Sequence, residues 1–247
     1  MKRVLWLVSW YPGRVDAFNG DFIQRHAMAA ALFCKVDVIY VVKDDKGLIR
    51  PGMEIQENAN LTEKIIYYHS PKTGIRLLDR VLSHLKYTRL YRKAIKEYIS
   101  KNGKPELVHV QIAMKAGMAA LWIKKKWDIP FVVTENWTGY YKQSVPSVYH
   151  YGWYLKKMGK KILKEAAIFL PVTKDLGETV KNNFADIPYR VIPNVVNTDL
   201  FFYKPFTPAK FRFVHFSYMH YQKNPEGILA AANRLRELGY DFELLMI

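Results

Sequence analysis

Any chemistry in this chain must come from a few polar stretches that punctuate apolar runs. The first follows Val4 to Trp10: Trp10-Tyr11-Pro12-Gly13, then Asn19-Gly20-Asp21-Phe22-Ile23-Gln24-Arg25-His26. A glycine just ahead of a helix lets backbone amides approach an anion; alternatively Asn19 or Asp21 caps that helix and Gly20 only turns the chain. The second is Ile129-Pro130-Phe131-Val132-Val133-Thr134-Glu135-Asn136-Trp137, a strand ending in polar residues, which is where open α/β sheets place ligands. A capped loop with Trp137 packed for burial is the plainer account. Thr173, after Pro171-Val172, repeats the strand-then-cap pattern, and Ile192-Pro193-Asn194-Val195-Val196-Asn197 follows another apolar run. Finally Phe213-Val214-His215-Phe216-Ser217 precedes Gln222-Lys223-Asn224-Pro225. Lys223 there can pair with a phosphate at a helix N-terminus, or stand solvated.

Other chemistries are excluded. No GxGxxG follows a strand, and Gly152 to Lys161 has its Gly-Lys pair too far from the first glycine for a phosphate loop. There is no GxSxG elbow. The histidines at 26, 69, 84, 109, 150, 215 and 220 have neither HExxH nor paired i, i+4 spacing, so no metal site is expected. The single Cys34 rules out an internal disulfide and fits a reducing compartment.

The elements that must position these residues alternate β-branched runs with helix-period segments, the pattern of a doubly wound parallel α/β sheet. Strands are predicted at Val4 to Trp10, Val36 to Val42, Lys64 to His69, Leu107 to Gln111, Phe131 to Thr134, Ile168 to Pro171 and Tyr189 to Ile192. Helices are predicted at Asp21 to Phe33, Ile75 to Ser100, Lys115 to Trp127, Val148 to Glu165 and Lys174 to Phe184. Residues 43 to 63 read as an excursion with at most one short edge strand. Pro193 to Pro208, with Pro205 between, has no helical period and reads as an inter-domain connection. A strand at Phe211 to Ser217, a helix from Pro225 to Leu238 and a strand at Phe242 to Ile247 then open a second α/β unit, too small to bury a core alone. The expected division is 1–204 and 205–247, the second domain being incomplete. The first apolar run is too short for a signal peptide, and nothing approaches the roughly 20 apolar residues of a spanning helix. A cytoplasmic protein, at most peripheral to a membrane, is expected.

Taken together, these stretches resemble the retaining glycosyltransferases of family 4, which have the GT-B fold of two Rossmann-like domains. The most specific pieces are Asn19-Gly20 with Phe22-Ile23-Gln24-Arg25, Thr134-Glu135-Asn136-Trp137, Ile192-Pro193-Asn194-Val195-Val196-Asn197-Thr198 with Phe201, and Lys223-Asn224. The resemblance implies an N-terminal acceptor domain, the start of a domain for a nucleotide-diphosphate sugar, and transfer to a hydroxyl of a glycan or lipid-linked acceptor without metal or other cofactor. It places Gly20 and Lys223 at the donor phosphates and Glu135 and Asn136 at the reaction centre. Asn19, Thr134, Trp137, Thr173, Asn194 and Ser217 would line the cleft. Two departures stand out: many members read Thr-Glu-His-Trp where this chain has Asn136, and many carry an Arg shortly before the Lys, where Tyr218 is the nearest equivalent. Asn136 cannot become an imidazolium or shuttle a proton. The family's paired glutamates would fall beyond Ile247, so the fragment is expected to be inactive alone. A nucleotide-sugar epimerase of GT-B fold and a non-catalytic sugar-binding relative remain the alternatives.

Charge adds a partner class. With 38 Lys and Arg against 22 Asp and Glu the chain carries +16, which favours anionic partners. Lys156, Lys157, Lys160, Lys161 and Lys164 share a side of one predicted helix, and Arg76, Arg80, Lys86, Arg89, Arg92, Lys93 and Lys96 lie on another. Such helices suit an anionic membrane surface, or are simply solvated on the outside of the sheet. Nucleic acid is not expected, because the aromatic run at Phe213 lacks the glycines of an RNA-recognition strand.

Overall fold

The computed structural model describes residues 1–205 and 210–247. The end of the connection expected over Pro193 to Pro208, and the residues just after the domain start expected at 205, fall on residues 206–209, outside the described residues. The chain divides into two compact units, Met1–Asn197 and Thr198–Ile247.

The first unit is built on seven strands: β1 (Arg3–Val8), β2 (Lys35–Lys43), β3 (Gly52–Asn58), β4 (Leu61–Tyr68), β5 (Leu107–Gln111), β6 (Phe131–Glu135) and β7 (Phe169–Pro171), in the order β3-β4-β2-β1-β5-β6-β7. All pairings are parallel except β3 with β4, where an antiparallel edge strand closes the excursion. The sheet is covered by helices α1 (Asp21–Ala31), α2 (Arg76–Asn102), α3 (Ala116–Trp127), α4 (Trp153–Glu165) and α5 (Lys174–Asn183). Alternation along β1 explains the two covered faces: Leu5 and Leu7 join the cluster with Tyr91, Ile95, Ala120 and Ile123, while Trp6 and Val8 join Ile23 and Ala27. Strands buried on both sides read as continuous apolar runs for that reason.

Two expected elements differ. Tyr189 to Ile192 is no strand: it makes a single bridge, Tyr189 to Phe169, with the Arg190 and Ile192 N–H groups donating to the Phe169 and Pro171 carbonyls at 3.0 and 3.1 Å. The ladder goes no further because Pro171 on β7 has no N–H to return to the Arg190 carbonyl, and residues 190 to 200 are exposed. The helix expected from Val148 begins instead at Trp153: Val148–His150 forms a separate 3-10 turn, capped by Ser147, whose hydroxyl accepts from the Tyr149 N–H at 3.3 Å.

The second unit holds β8 (Arg212–His215), α6 (Pro225–Glu237) and β9 (Glu243–Met246), with β8 and β9 parallel. No residue of α6 is buried. Among the described residues no helix is long and apolar enough to cross a membrane.

Candidate active site

Strand order locates the site before any side chain does. Beside β1 lie β2 on one hand and β5 on the other, so the chain leaves β1 in one direction and returns on the opposite side. Loops diverge at such a switch point and leave a crevice beyond the carboxyl ends of the strands. Both diverging loops are held tightly. Gly20 adopts φ +71°, and a Cβ there would lie 2.8 Å from the Trp10 carbonyl carbon, so the glycine allows the β1 loop to fold back on itself. After β5, Lys115 adopts φ +69° and ψ −70°, the rarer hand of γ-turn, closed by the Ala116 N–H to the Met114 carbonyl at 3.1 Å. Ser9 braces that turn: its hydroxyl lies 2.9 Å from the Ile112 carbonyl, contacts the Met114 carbonyl, and accepts from the Ala116 N–H at 3.2 Å.

The crevice is a cleft of about 820 Å³. Ser9, Trp10, Asn19, Tyr40, Tyr68, Arg76, Arg80 and Lys115 are among its walls, so it lies at the ends of β1, β2 and β4 and against the start of α2. The Asn19 amide donates to the Tyr40 hydroxyl at 3.0 Å. Burial holds that phenol proton firmly, pushing the pKa up to about 12.

At the neighbouring strand end, Glu135 is fully buried. One carboxylate oxygen accepts from the N–H groups of Asn136 at 3.2 Å and Trp137 at 3.0 Å; the other accepts from the Ala113 N–H at 3.1 Å and the Tyr140 hydroxyl at 3.3 Å. Burial pushes its pKa up to about 7, the hydrogen bonds partly offsetting that rise. These four donors come from β6's own loop and from the loop after β5, so the carboxylate fixes the course of the β6 loop. Asn136 at the loop start donates to the Asn194 side-chain carbonyl at 2.7 Å. Its own buried carbonyl oxygen has no partner.

Beneath this loop lies a polar layer that motif reading did not single out. His109 packs against Trp6 with ring centroids 4.6 Å apart and planes tilted by 58°, and meets the Thr134 hydroxyl at 2.7 Å and the Gln111 amide at 3.2 Å. Burial, then the nearby His26, pulls the His109 pKa down to about 3, so the imidazole is neutral at physiological pH. His26, on α1, accepts from the Val195 N–H at 3.3 Å. The signal was available in β5, where His109 and Gln111 sit two residues apart in a valine-rich strand and so share one face.

The remaining expected residues fall as follows. Thr173 caps α5, accepting from the Leu176 N–H at 3.1 Å. Trp137 packs at 5.7 Å from Tyr140 and 5.9 Å from Tyr151. Asn19 faces the cleft, whereas Gly20 is buried and α1 has no side-chain cap from Asn19 or Asp21. Ser217 and Lys223 belong to the second unit: the Ser217 hydroxyl lies 2.8 Å from the His215 ring, and Lys223 is exposed just before Asn224, which caps α6 through the Gly227 N–H at 3.2 Å. On α4, Lys157, Lys160, Lys161 and Lys164 are exposed and Lys156 is half-buried. No three His, Cys, Asp or Glu groups among the described residues converge as metal ligands.

A mostly parallel seven-stranded sheet with its crevice at the switch point has the Rossmann-like architecture found in GT-B glycosyltransferases. The chain belongs to glycosyltransferase family 4, whose pattern, described as Glycosyltransferase Family 4, it matches over residues 26–200. Among solved structures it resembles sucrose-phosphate synthase from Thermosynechococcus elongatus, with a TM-score of 0.69 at 17% identity, covering 100% of this chain and 62% of that one. It also resembles an E. coli structure described as trehalose-6-phosphate bound with UDP-2-fluoro glucose, with a TM-score of 0.59 at 10% identity, covering 99% of this chain and 64% of that one. The chain thus spans less than two thirds of the length of either. No curated protein matches it in sequence.

Proposed function

We propose that the chain is part of an enzyme that moves a sugar from a nucleotide-diphosphate donor to a hydroxyl of a glycan or lipid-linked acceptor, with retention, in cell-surface polysaccharide assembly at the cytoplasmic face of a membrane. The observation that carries this reading is the 820 Å³ cleft at the switch point of a family 4 chain. The E. coli neighbour's UDP-2-fluoro glucose supports the donor class. In this reading the acceptor occupies the cleft beside Asn19. The departing nucleoside diphosphate needs positive charge at its oxygens, which Lys223 and backbone amides supply, and the acceptor hydroxyl attacks from the same face. Glu135 acts as a positioning residue that holds Asn136 in place, and no metal is required. The exposed lysines of α4 favour an anionic membrane surface.

Mass spectrometry of the protein at its full natural length, with a panel of nucleotide sugars and hydroxyl acceptors, tests the assignment, and proton NMR of the product reads its anomeric configuration. Transfer with retention, unaffected by chelators, is expected. Donor isomerisation without transfer would make the protein a nucleotide-sugar epimerase. A second reading, a sugar-binding relative without activity, is favoured by Asn136 and predicts donor binding with no turnover.

A further inference from the structure

The start of α2 is inside out. On a surface helix the apolar stripe normally faces the protein and the charged stripe faces water. Here Arg76, Arg80, Ser83 and Tyr87, at helical spacing, line the cleft, while Leu77, Leu78, Val81 and Leu85 stand 72%, 41%, 49% and 57% exposed. The cleft's cations are also left over. Of its acids, Asp45 pairs with Lys43 at 2.7 Å, Asp79 accepts from the Thr73 N–H and hydroxyl, both at 2.7 Å, and Asp16 accepts from the Phe18 N–H at 3.0 Å. Among the described residues, Lys72, Arg76, Arg80 and Lys115 line the cleft without forming an ion pair. Lys115 is held there by the strained turn that Ser9 braces, and strain of this kind persists where surrounding structure enforces it, commonly at ligand sites.

We propose that this cleft receives the phosphate or diphosphate headgroup of a lipid acceptor, with Lys72, Arg76, Arg80 and Lys115 as its counter-charges and the Leu77, Leu78, Val81 and Leu85 stripe against its hydrocarbon. This rests on the transferase reading for the word acceptor, but not for the binding itself. A phosphate monoester presents oxygens that guanidinium groups clasp two at a time, and a helix whose apolar side meets lipid has a reason to turn its arginines inward. A soluble, uncharged sugar gives neither stripe a partner.

The test is flotation of the 247-residue chain with phosphatidylcholine vesicles, with and without a minority of phosphatidic acid, in the absence of any nucleotide sugar. The chain should float with the phosphatidic acid vesicles alone, and inorganic pyrophosphate should displace it. Arg76→Ala/Arg80→Ala should weaken that binding by at least about tenfold, the scale of losing one or two charge-assisted bonds. Leu77→Ser/Val81→Ser should weaken it while leaving binding of pyrophosphate in solution unchanged. Lys157→Ala/Lys160→Ala, on α4, serves as the control for general basic charge. Equal flotation of parent and Arg76→Ala/Arg80→Ala, indifference to pyrophosphate, or a larger loss in the α4 control overturns the proposal. Because no donor is present, headgroup binding without sugar transfer would fail the transferase reading and leave this one standing.

Discussion

Two stretches of the same sheet edge handle charge in opposite ways. At the end of β6 a single carboxylate, Glu135, is fully buried and engaged by donors on both oxygens. A few strands away, at the ends of β1, β2 and β4, cations stand in an open cleft without ion-pair partners. Inside the protein a polar group is costly unless satisfied, so the first arrangement holds a loop in shape. Unpaired charge in water costs little, so the second can be kept for something that arrives from outside. The contrast separates residues whose loss should unfold the protein from residues whose loss should only empty it.

Glu135→Ala puts the most weight on that contrast. It strands up to four donors, and we expect a loss of about 4 kcal/mol in chemical denaturation. An unchanged midpoint would place Glu135 with the cleft residues and dissolve the distinction. The pH dependence comes next. The Glu135 pKa is raised from 4.5 to about 7, so the folded state holds the proton more tightly than the unfolded chain. Its contribution is therefore fully present below pH 4.5 and is lost as pH rises through 7, by about 3 kcal/mol in all. The stability of the parent relative to Glu135→Gln should shrink by that amount across this window; a gap that widens with pH would mean the carboxylate is folded in as the anion. His109, pulled down to about 3, works in the opposite sense and is common to both proteins, so it cancels in the comparison.

Gly20→Ala should cost about 2 kcal/mol, from the left-handed backbone and the approach to Trp10. It tests whether the β1 loop belongs to the rigid side of the contrast. The smallest effect is expected of Arg76→Ala/Arg80→Ala, within about 0.5 kcal/mol of the parent, because neither side chain is buried or ion-paired. A large destabilisation there would mean that the cleft's arginines hold the fold together after all.

How much of this the sequence disclosed varies with the physics of each element. The strands β1, β2, β5 and β6 were legible because burial on both faces leaves an uninterrupted apolar run, as in Val4 to Val8 or Phe131 to Val133. Tyr189 to Ile192 offered a similar run, but a full ladder there needs a donor that Pro171 on the neighbouring strand lacks, and no composition reveals which strand a segment will meet. Glu135 was visible as a carboxylate at a strand end; that it would turn inward and be claimed by Ala113 and Tyr140 depends on contacts between loops. Arg76 and Arg80 were legible as part of a basic helix, yet which side of that helix faces the cleft is decided by how α2 docks. The His109 and Gln111 pair lay in plain view and was passed over because no motif contains it.

That docking has one deeply buried anchor. The Tyr91 hydroxyl, on α2, accepts from the Val8 N–H at 3.2 Å and lies within donating reach of the carbonyls of Val8 at 2.9 Å and Ile39 at 2.8 Å, where β1 and β2 run side by side. Arg76 stands fifteen residues up the same helix, roughly 22 Å away along its axis. Between that anchor and the charged tip, Ser83 accepts from the Ser70 hydroxyl at 2.8 Å and the Lys86 ammonium donates to the His69 carbonyl at 3.1 Å, so the helix is held to the chain leaving β4 for two further turns. The aperture of the cleft is therefore set along several turns of one helix, from Tyr91 at its buried anchor to Ser83 at the cleft wall.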